Sequence, residues 1–498
     1  MNIKTLLLGT VAAAGLATGA HAADLAKGVM TSLDVCDALG LSGLTISSDT
    51  DCLQITGGVS YMFAWGDYEV GTGSNNSGQR IVATPDDNSS IPIAGDASGT
   101  VGRANDWDSQ VIAWFQLAAT ADSSFGKAKA VIKLKSERFR HSANGYGYYD
   151  GDDTGGSTTN TGTETTQQGP SGTVLFDKAY VSVGDTTVLT AGNAGSIANV
   201  GDDTPLNWLG LFNSDNVGTG VLWSVNAGAG GTNLADSGAN VQTGGQSIQL
   251  TSALGNGISI GAALEDLGDA NVKRAGTAVG FISYAGDNLT AHLTVLETGI
   301  LDGHPDVTAY HAGVSGTFDK FKIVAAIAGD SSGYYDALAS AQATFDMFKL
   351  AGSVEATQNS TNIGGNGQSG LGYGASAGLT VSDGVSINIG GRYFDGDTSN
   401  KLGNGVDRGY QAAIGLVAAV TETLTLEGDI GLYGTTNGAF NTGTNAGTGS
   451  TTGTWTQVYY GAASAKWAPG GGFTSSVMGQ AFSNGAYKAT FNASKSFQ

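Results

Sequence analysis

From Leu53 onward the odd positions read Leu53, Ile55, Gly57, Val59, Tyr61, Phe63 and Trp65, while the even ones read Gln54, Thr56, Gly58, Ser60, Met62 and Ala64. Successive side chains of a strand point to opposite faces, so this alternation predicts a strand with one apolar face ending in aromatics and one small, mostly polar face. The period of two returns in Phe321, Ile323, Ala325 and Ile327, and again in Leu424, Leu426, Ile430 and Leu432, which oppose Thr423, Thr425, Glu427 and Asp429. It closes the chain in Tyr487, Ala489, Phe491, Ala493 and Phe497. One such segment fits a soluble sandwich as well as a membrane strand, and repetition carries the argument. Between the segments, short connections (184–186, 285–288, 319–320, 382–384, 421–422) alternate with long ones (68–106, 140–172, 194–245, 357–370, 395–407, 435–454). A soluble sandwich has no reason to sort loops by length and side, whereas a transmembrane barrel has short periplasmic turns and long external loops. The expected fold is all-β, a transmembrane antiparallel β-barrel with an even number of strands, about 16 to 20. An even number puts both termini on one side and lets the last strand pair with the first.

Composition agrees with this and adds a compartment. Among 498 residues there are 80 glycines but only 6 prolines, and charged residues make up 13%, which fits neither collagen nor a charge-driven disordered chain. Residues 1–22 read as a secretory signal: Lys4, a short apolar run from Leu6 to Leu16, and an Ala20-His21-Ala22 cleavage site. After Ala22 no uncharged apolar run reaches the roughly 18 residues that a spanning helix needs, so a membrane-resident mature chain would cross as a closed barrel. The expected organisation is a signal at 1–22, a periplasmic segment at 23–52 carrying a cysteine pair, and a barrel over 53–498. Cys36 and Cys52 are the only cysteines. In an oxidising compartment, closing a loop of about 15 residues contributes roughly 3 kcal/mol, and a disulfide is expected over a metal pair, which would want four N or S ligands. The net charge of −21 repels nucleic-acid phosphates, so no nucleic-acid partner is expected.

Three groups of residues resemble the alphaproteobacterial, Rhizobiales-type outer-membrane porin family. Val35-Cys36-Asp37-Ala38, with Thr50-Asp51-Cys52-Leu53, is similar to that family's paired-cysteine start before the first strand. Ala179-Tyr180-Val181, leading to Leu189-Thr190-Ala191-Gly192, resembles the hairpin before its inward-folded third loop. Leu254-Gly255-Asn256-Gly257-Ile258-Ser259, with Leu264-Glu265-Asp266, resembles a turn and strand ending in an acidic pair. The resemblance implies a homotrimeric diffusion channel in the bacterial outer membrane, with the third loop (194–245) narrowing the pore.

Candidate functional residues follow from the same alternation. Lys127, Lys129, Lys133 and Lys135 share one face of a strand, and Ala128, Ala130, Ile132 and Leu134 cover the other. A lysine facing lipid near the midplane costs up to a few kcal/mol, so the row is expected to face a water-filled lumen and act on passing ions. The third loop carries Asp202, Asp203, Asp215 and Asp236, expected to oppose that row, and Trp208, Leu211 and Phe212, expected to pack the loop on the wall. Phe497 and its strand are expected to close the barrel and to signal insertion, because an unpaired edge cannot remain in lipid. Catalytic readings find little support. His141, His292, His304 and His311 are scattered, Asp150, Asp152 and Asp153 lack the spacing of an EF-hand loop, and no glycine-rich run sits between a parallel strand and a helix. No enzyme activity, cofactor or metal is expected. The expected function is passive diffusion of small hydrophilic solutes and ions across lipid. A solute-selective channel, or a surface adhesin or structural barrel, are the alternatives.

Overall fold

The computed structural model describes residues 33–67, 81–84, 87–92, 106–141, 174–198, 204–212, 214, 221, 243–268, 276–301, 303, 307–331, 333–358, 369–396, 408–436, 455–483 and 487–498. A short helix, Leu33–Ala38, leads to β1 (Thr45–Ser47) and β2 (Asp51–Asp67), and β3 (Ile81–Thr84) pairs with β4 (Asp87–Pro92) as a separate two-stranded sheet among the described residues. The chain then runs through β5 (Asp106–Ser123), β6 (Gly126–His141), β7 (Val174–Gly184), β8 (Thr187–Ala194), β9 (Gly245–Gly255) and β10 (Ile258–Glu265). It continues as β11 (Thr277–Ala285), β12 (Leu289–Thr298), β13 (Thr308–Phe318), β14 (Phe321–Asp330), β15 (Tyr335–Phe345), β16 (Phe348–Gln358) and β17 (Ser369–Ser382). The last strands are β18 (Val385–Gly396), β19 (Arg408–Ala419), β20 (Leu424–Thr436), β21 (Trp455–Gly470), β22 (Phe473–Phe482) and β23 (Tyr487–Phe497).

From β5 on, each strand pairs antiparallel with the next, β2 pairs with β5, and β23 returns to β2 in register from Gly57↔Phe497 to Asp67↔Tyr487. Among the described residues β2 and β5–β23 make a closed barrel of 20 antiparallel strands, at the top of the expected range. Closure gives each of these 20 strands a neighbour on both sides, so the barrel presents no open edge to lipid. Strand β2 starts at Asp51, so Cys52 belongs to the barrel itself.

The period of two sorts the side chains as expected. Val59, Tyr61, Phe63 and Trp65 are exposed on the outside, as are Ile323, Ile327, Leu416, Ile430 and Phe491. An outer surface this apolar is stable only against lipid. Aromatics gather at both ends of the strands. Phe318, Phe321, Phe345 and Phe348 flank two short turns, while Trp65, Trp107 and Tyr373 stand near the long-loop end, as in the interfacial girdles of membrane barrels. Those two turns pass through Asp319 (φ 50) and Asp346 (φ 40), where a short polar side chain tolerates the left-handed backbone. The inner face carries polar residues such as Ser340, Ser353, Glu355, Thr357, Gln411, Glu427 and Asp429, with buried apolar ones such as Leu296, Leu338 and Tyr460 among them.

Below the seam, β1 pairs with residues 52–54 of β2 in line with the end of β23. Gly43 sits there at φ 101, and a Cβ on it would lie 2.9 Å from the carbonyl carbon of Gln498, so only glycine fits. Cys36 and Cys52 form the expected disulfide, with Cα atoms 5.1 Å apart, and bury against Leu39.

Candidate functional site

In a ring of 20 strands the wall half a turn from β6 is β16. That wall holds the segment that follows β8. The backbone N–H groups of Leu206, Asn207 and Trp208 donate to the hydroxyls of Ser340, Ser353 and Ser376, on β15, β16 and β17, at 2.9, 3.3 and 2.9 Å. Farther along, Phe212 N and Ser214 N donate to the two carboxylate oxygens of Glu355 at 3.2 and 2.7 Å, and Ser214 Oγ donates to Asp336 Oδ1 at 2.8 Å. Arg392 of β18 gives Nη1 to the Leu211 carbonyl at 2.9 Å and Nε to Gln411 at 2.8 Å, with its guanidinium 4.3 Å from the Phe212 ring centre. All of these wall residues point inward, opposite to exposed neighbours such as Leu350, Val354 and Ile389. A segment without secondary structure cannot be buried with its backbone unsatisfied, and here wall side chains supply the partners. Tyr334, in the turn between β14 and β15, closes the cluster. Burial first, then the carboxylates of Asp336, Asp330 and Glu355, raise its phenol well above the usual range, so it stays neutral.

Apolar packing completes the attachment. Ala198, Leu206, Leu211 and Val221 pack with Val279, Leu296, Val324 and Leu338 on the inner faces of β11–β15. Trp208, Leu209 and Phe212 pack with Tyr433, Val458, Tyr460 and Phe482 farther round. The packing expected of Trp208, Leu211 and Phe212 is therefore observed. Small inner-wall residues make room for it. A Cβ on Gly415 would lie 2.6 Å from Trp208 Cζ2, and one on Gly374 would collide with the Asn207 amide.

Both ends of the connection are fastened by one carboxylate. Glu265, fully buried at the end of β10, accepts from Ser196 Oγ (2.6 Å), Ile197 N (2.9 Å), Gly244 N (2.7 Å) and Gln249 Nε2 (3.2 Å). The donors come from the start of the connection, from its end and from β9. Charge-assisted bonds of this kind are the strong ones, and together they satisfy an otherwise costly buried charge.

Across the barrel stands the lysine row. On β6 the odd positions lie on the side of buried Val131, and exposed Ile132 lies on the other, so Lys127, Lys129, Lys133 and Lys135 face inward. Their cross-strand neighbours on β5 are Asp122, Thr120, Gln116 and Trp114. Only part of the row is left as bare charge. Lys133 is paired with Asp177 and lies 5.4 Å from the Trp114 ring centre, and Lys135 is 3.3 Å from Glu137. Lys127 Nζ donates to the Leu39 carbonyl at 2.5 Å. Among the described residues Lys129 has no carboxylate within ion-pair distance. Asp202, Asp203, Asp215 and Asp236 lie outside the described residues, as do the signal at 1–22, His304 and the acidic run at 150–153. His292 and His311 face inward side by side, with ring centres 4.5 Å apart.

The residues that hold the segment, Glu265, Glu355, Asp336 and Arg392, were not singled out from the sequence for that role. Each looks like any lumen-facing polar residue at its own position, because the loop atoms it holds are brought to it only by folding.

No protein-family model matches the chain. Among curated proteins it is 43% identical over 82 residues to porin Omp2a of Brucella ovis, a match that covers 16% of this chain and 23% of that one. It is 42% identical over 82 residues to porin Omp2b of Brucella canis, covering 16% and 22%. The chain thus spans less than a quarter of the length of these relatives. Solved structures similar to it include OccAB4 of Acinetobacter baumannii, with 9% identity, 90% of this chain and 98% of that one covered, and a TM-score of 0.46. An anion-selective porin from Comamonas acidovorans has 14% identity, covers 90% and 100%, and gives a TM-score of 0.38. The fold is a closed antiparallel β-barrel with a lipid-facing outer surface, and over the matched 82 residues the chain is similar to the porins of Brucella.

Proposed function

We propose that the protein is a porin, a water-filled channel for passive diffusion of small hydrophilic solutes and ions. The observation that carries this reading is the division of the lumen. The segment 204–214 is fixed to β15–β18, and the lysine row of β6 faces it from half a turn away. Solutes would pass between a packed loop and a polar, partly basic wall, so size and charge would both act as filters. Lys127, Lys129, Lys133 and Lys135 are the wall side of that filter in this reading. Asp202, Asp203 and Asp215 are its loop side. The pairing of Lys133 and Lys135 with carboxylates weakens the wall's positive field, while a net charge of −21 enriches cations near the mouths, which favours mild cation preference. A homotrimer in outer-membrane lipid, with no catalysis and no cofactor, completes the proposal.

Purified protein reconstituted in planar bilayers tests it. Discrete current steps, linear in voltage and without saturation by any one solute, are expected. A folded, heat-modifiable barrel that inserts and passes no current would overturn the porin reading in favour of a structural barrel. Saturable block by one solute would overturn the general-diffusion form in favour of a selective channel.

A further inference from the structure

Two inner-face side chains of the barrel reach a part of the chain that is not in the wall. Gln54 of β2 alternates with outward Leu53 and Ile55, and its Nε2 donates to the Ser42 carbonyl at 2.9 Å. Lys127 of β6 points inward and donates to the Leu39 carbonyl at 2.5 Å. The residues before β1 therefore lie on the lumen side of the wall, across β2, β5 and β6, a width of about 10 Å at the usual strand spacing. Cys52 also points inward, opposite Thr120, so the disulfide to Cys36 ties the helix to the inner surface. Buried Cys36, Leu39 and Cys52, with Val35 and Leu41 against them, make this a packed unit. It sits at the short-turn end of the strands, beside the turn between β5 and β6 and beneath the lysine row.

We infer that the disulfide-bound segment 35–44 is a second constriction, a sill across the periplasmic mouth on the side of the lumen that the 204–214 segment leaves bare. This rests on the porin reading. A solute travelling along the β5–β6 wall meets the middle constriction first and the sill afterwards. The two resistances act in series, and the sill is specificity-determining for solutes that are small enough to pass the first. Lys127 then belongs to the sill as an anchor, and Lys129 is the first lysine above it.

The test compares three proteins in planar bilayers of known orientation: the wild type, the double variant Cys36→Ser/Cys52→Ser, and Asp37→Arg. Asp37 is exposed on the sill helix, and its replacement leaves the disulfide and its packing intact. The double variant is expected to raise single-channel conductance by about 1.5-fold and to admit larger neutral polymers from the periplasmic side. Asp37→Arg is expected to move the reversal potential toward anions when dilute salt is on the periplasmic side, with the shift vanishing near 1 M, where the Debye length is about 3 Å. If the double variant does not insert, the Asp37→Arg reversal potential decides alone. Wild-type conductance in the double variant, or an unchanged reversal potential in Asp37→Arg, overturns the sill and leaves the porin reading standing. Silence of the wild type itself overturns the porin reading.

Discussion

Glu265 illustrates how much one inward side chain can carry. It accepts from both ends of the connection that leads from β8 to β9. Removing it in Glu265→Ala would leave several buried donors without a partner, at a cost of about 3 kcal/mol concentrated in the loop. The expected outcome is faster proteolysis within 195–244 and noisier open-channel current, with the barrel's thermal transition nearly unchanged. Equal cleavage rates in variant and wild type would show that the loop is held without it. The lysine row makes a second residue-scale prediction. Replacing Lys127, Lys129, Lys133 and Lys135 with glutamate should move the zero-current potential in a salt gradient toward stronger cation selectivity, and the shift should shrink at high salt. An unchanged potential in dilute salt would place the row outside the conducting path. The alternation of Lys127 to Lys135 with Ala128 to Leu134 made the inward direction legible from the sequence. It did not reveal that Asp177, Glu137 and the Leu39 carbonyl engage three of the lysines, because Asp177 and Leu39 approach only through folding.

Among the elements, the strands whose outer faces carry large apolar residues were the easiest to read. Strand β15 was harder, since its outer face is Ala337, Ala339, Ala341 and Ala343, whose weak hydrophobicity barely marks a period of two. Its inner face carries Asp336, Leu338 and Ser340, which belong to the loop as much as to the wall. Gly390 of β18 and Gly415 of β19 gave no local sign of their use either, since the ring they make room for comes from Trp208. Gly415→Val tests that use. Overpacking costs about 1–3 kcal/mol, and here it is expected to displace Trp208 toward the lumen and lower conductance while leaving insertion intact. Wild-type conductance would mean that the ring can move aside elsewhere. At the seam, the pairing of β23 with both β22 and β2 makes the last strand indispensable to closure. Deleting residues 490–498 should abolish insertion, which loss of the heat-modifiable band in outer-membrane fractions would report. Normal levels of that band would contradict the closure.

The whole molecule was legible as a barrel because period-two faces and the alternation of loop lengths are local properties that add up along the chain. The number of strands is not legible in the same way, since short polar pieces read alike as strand or loop. Cys36 and Cys52 were legible as a pair from compartment and count, and the prediction that follows is simple. Unreduced, denatured protein should take up no thiol label, and two labelled thiols per chain would contradict the observed bridge. The seating of the 204–214 segment on one side of the lumen has a consequence for how such a protein can change. Along β11–β22 an inner residue answers both to its strand and to a segment lying on it, so a substitution there needs a matching one far away in the chain. Along β5 and β6, among the described residues, an inner side chain answers to close neighbours in the wall or to the sill, as Lys133 and Lys135 do to Asp177 and Glu137 and Lys127 to Leu39. A position such as Lys129 can therefore drift on its own, and new solute preferences should arise there first, while the wall that carries the segment stays as it is.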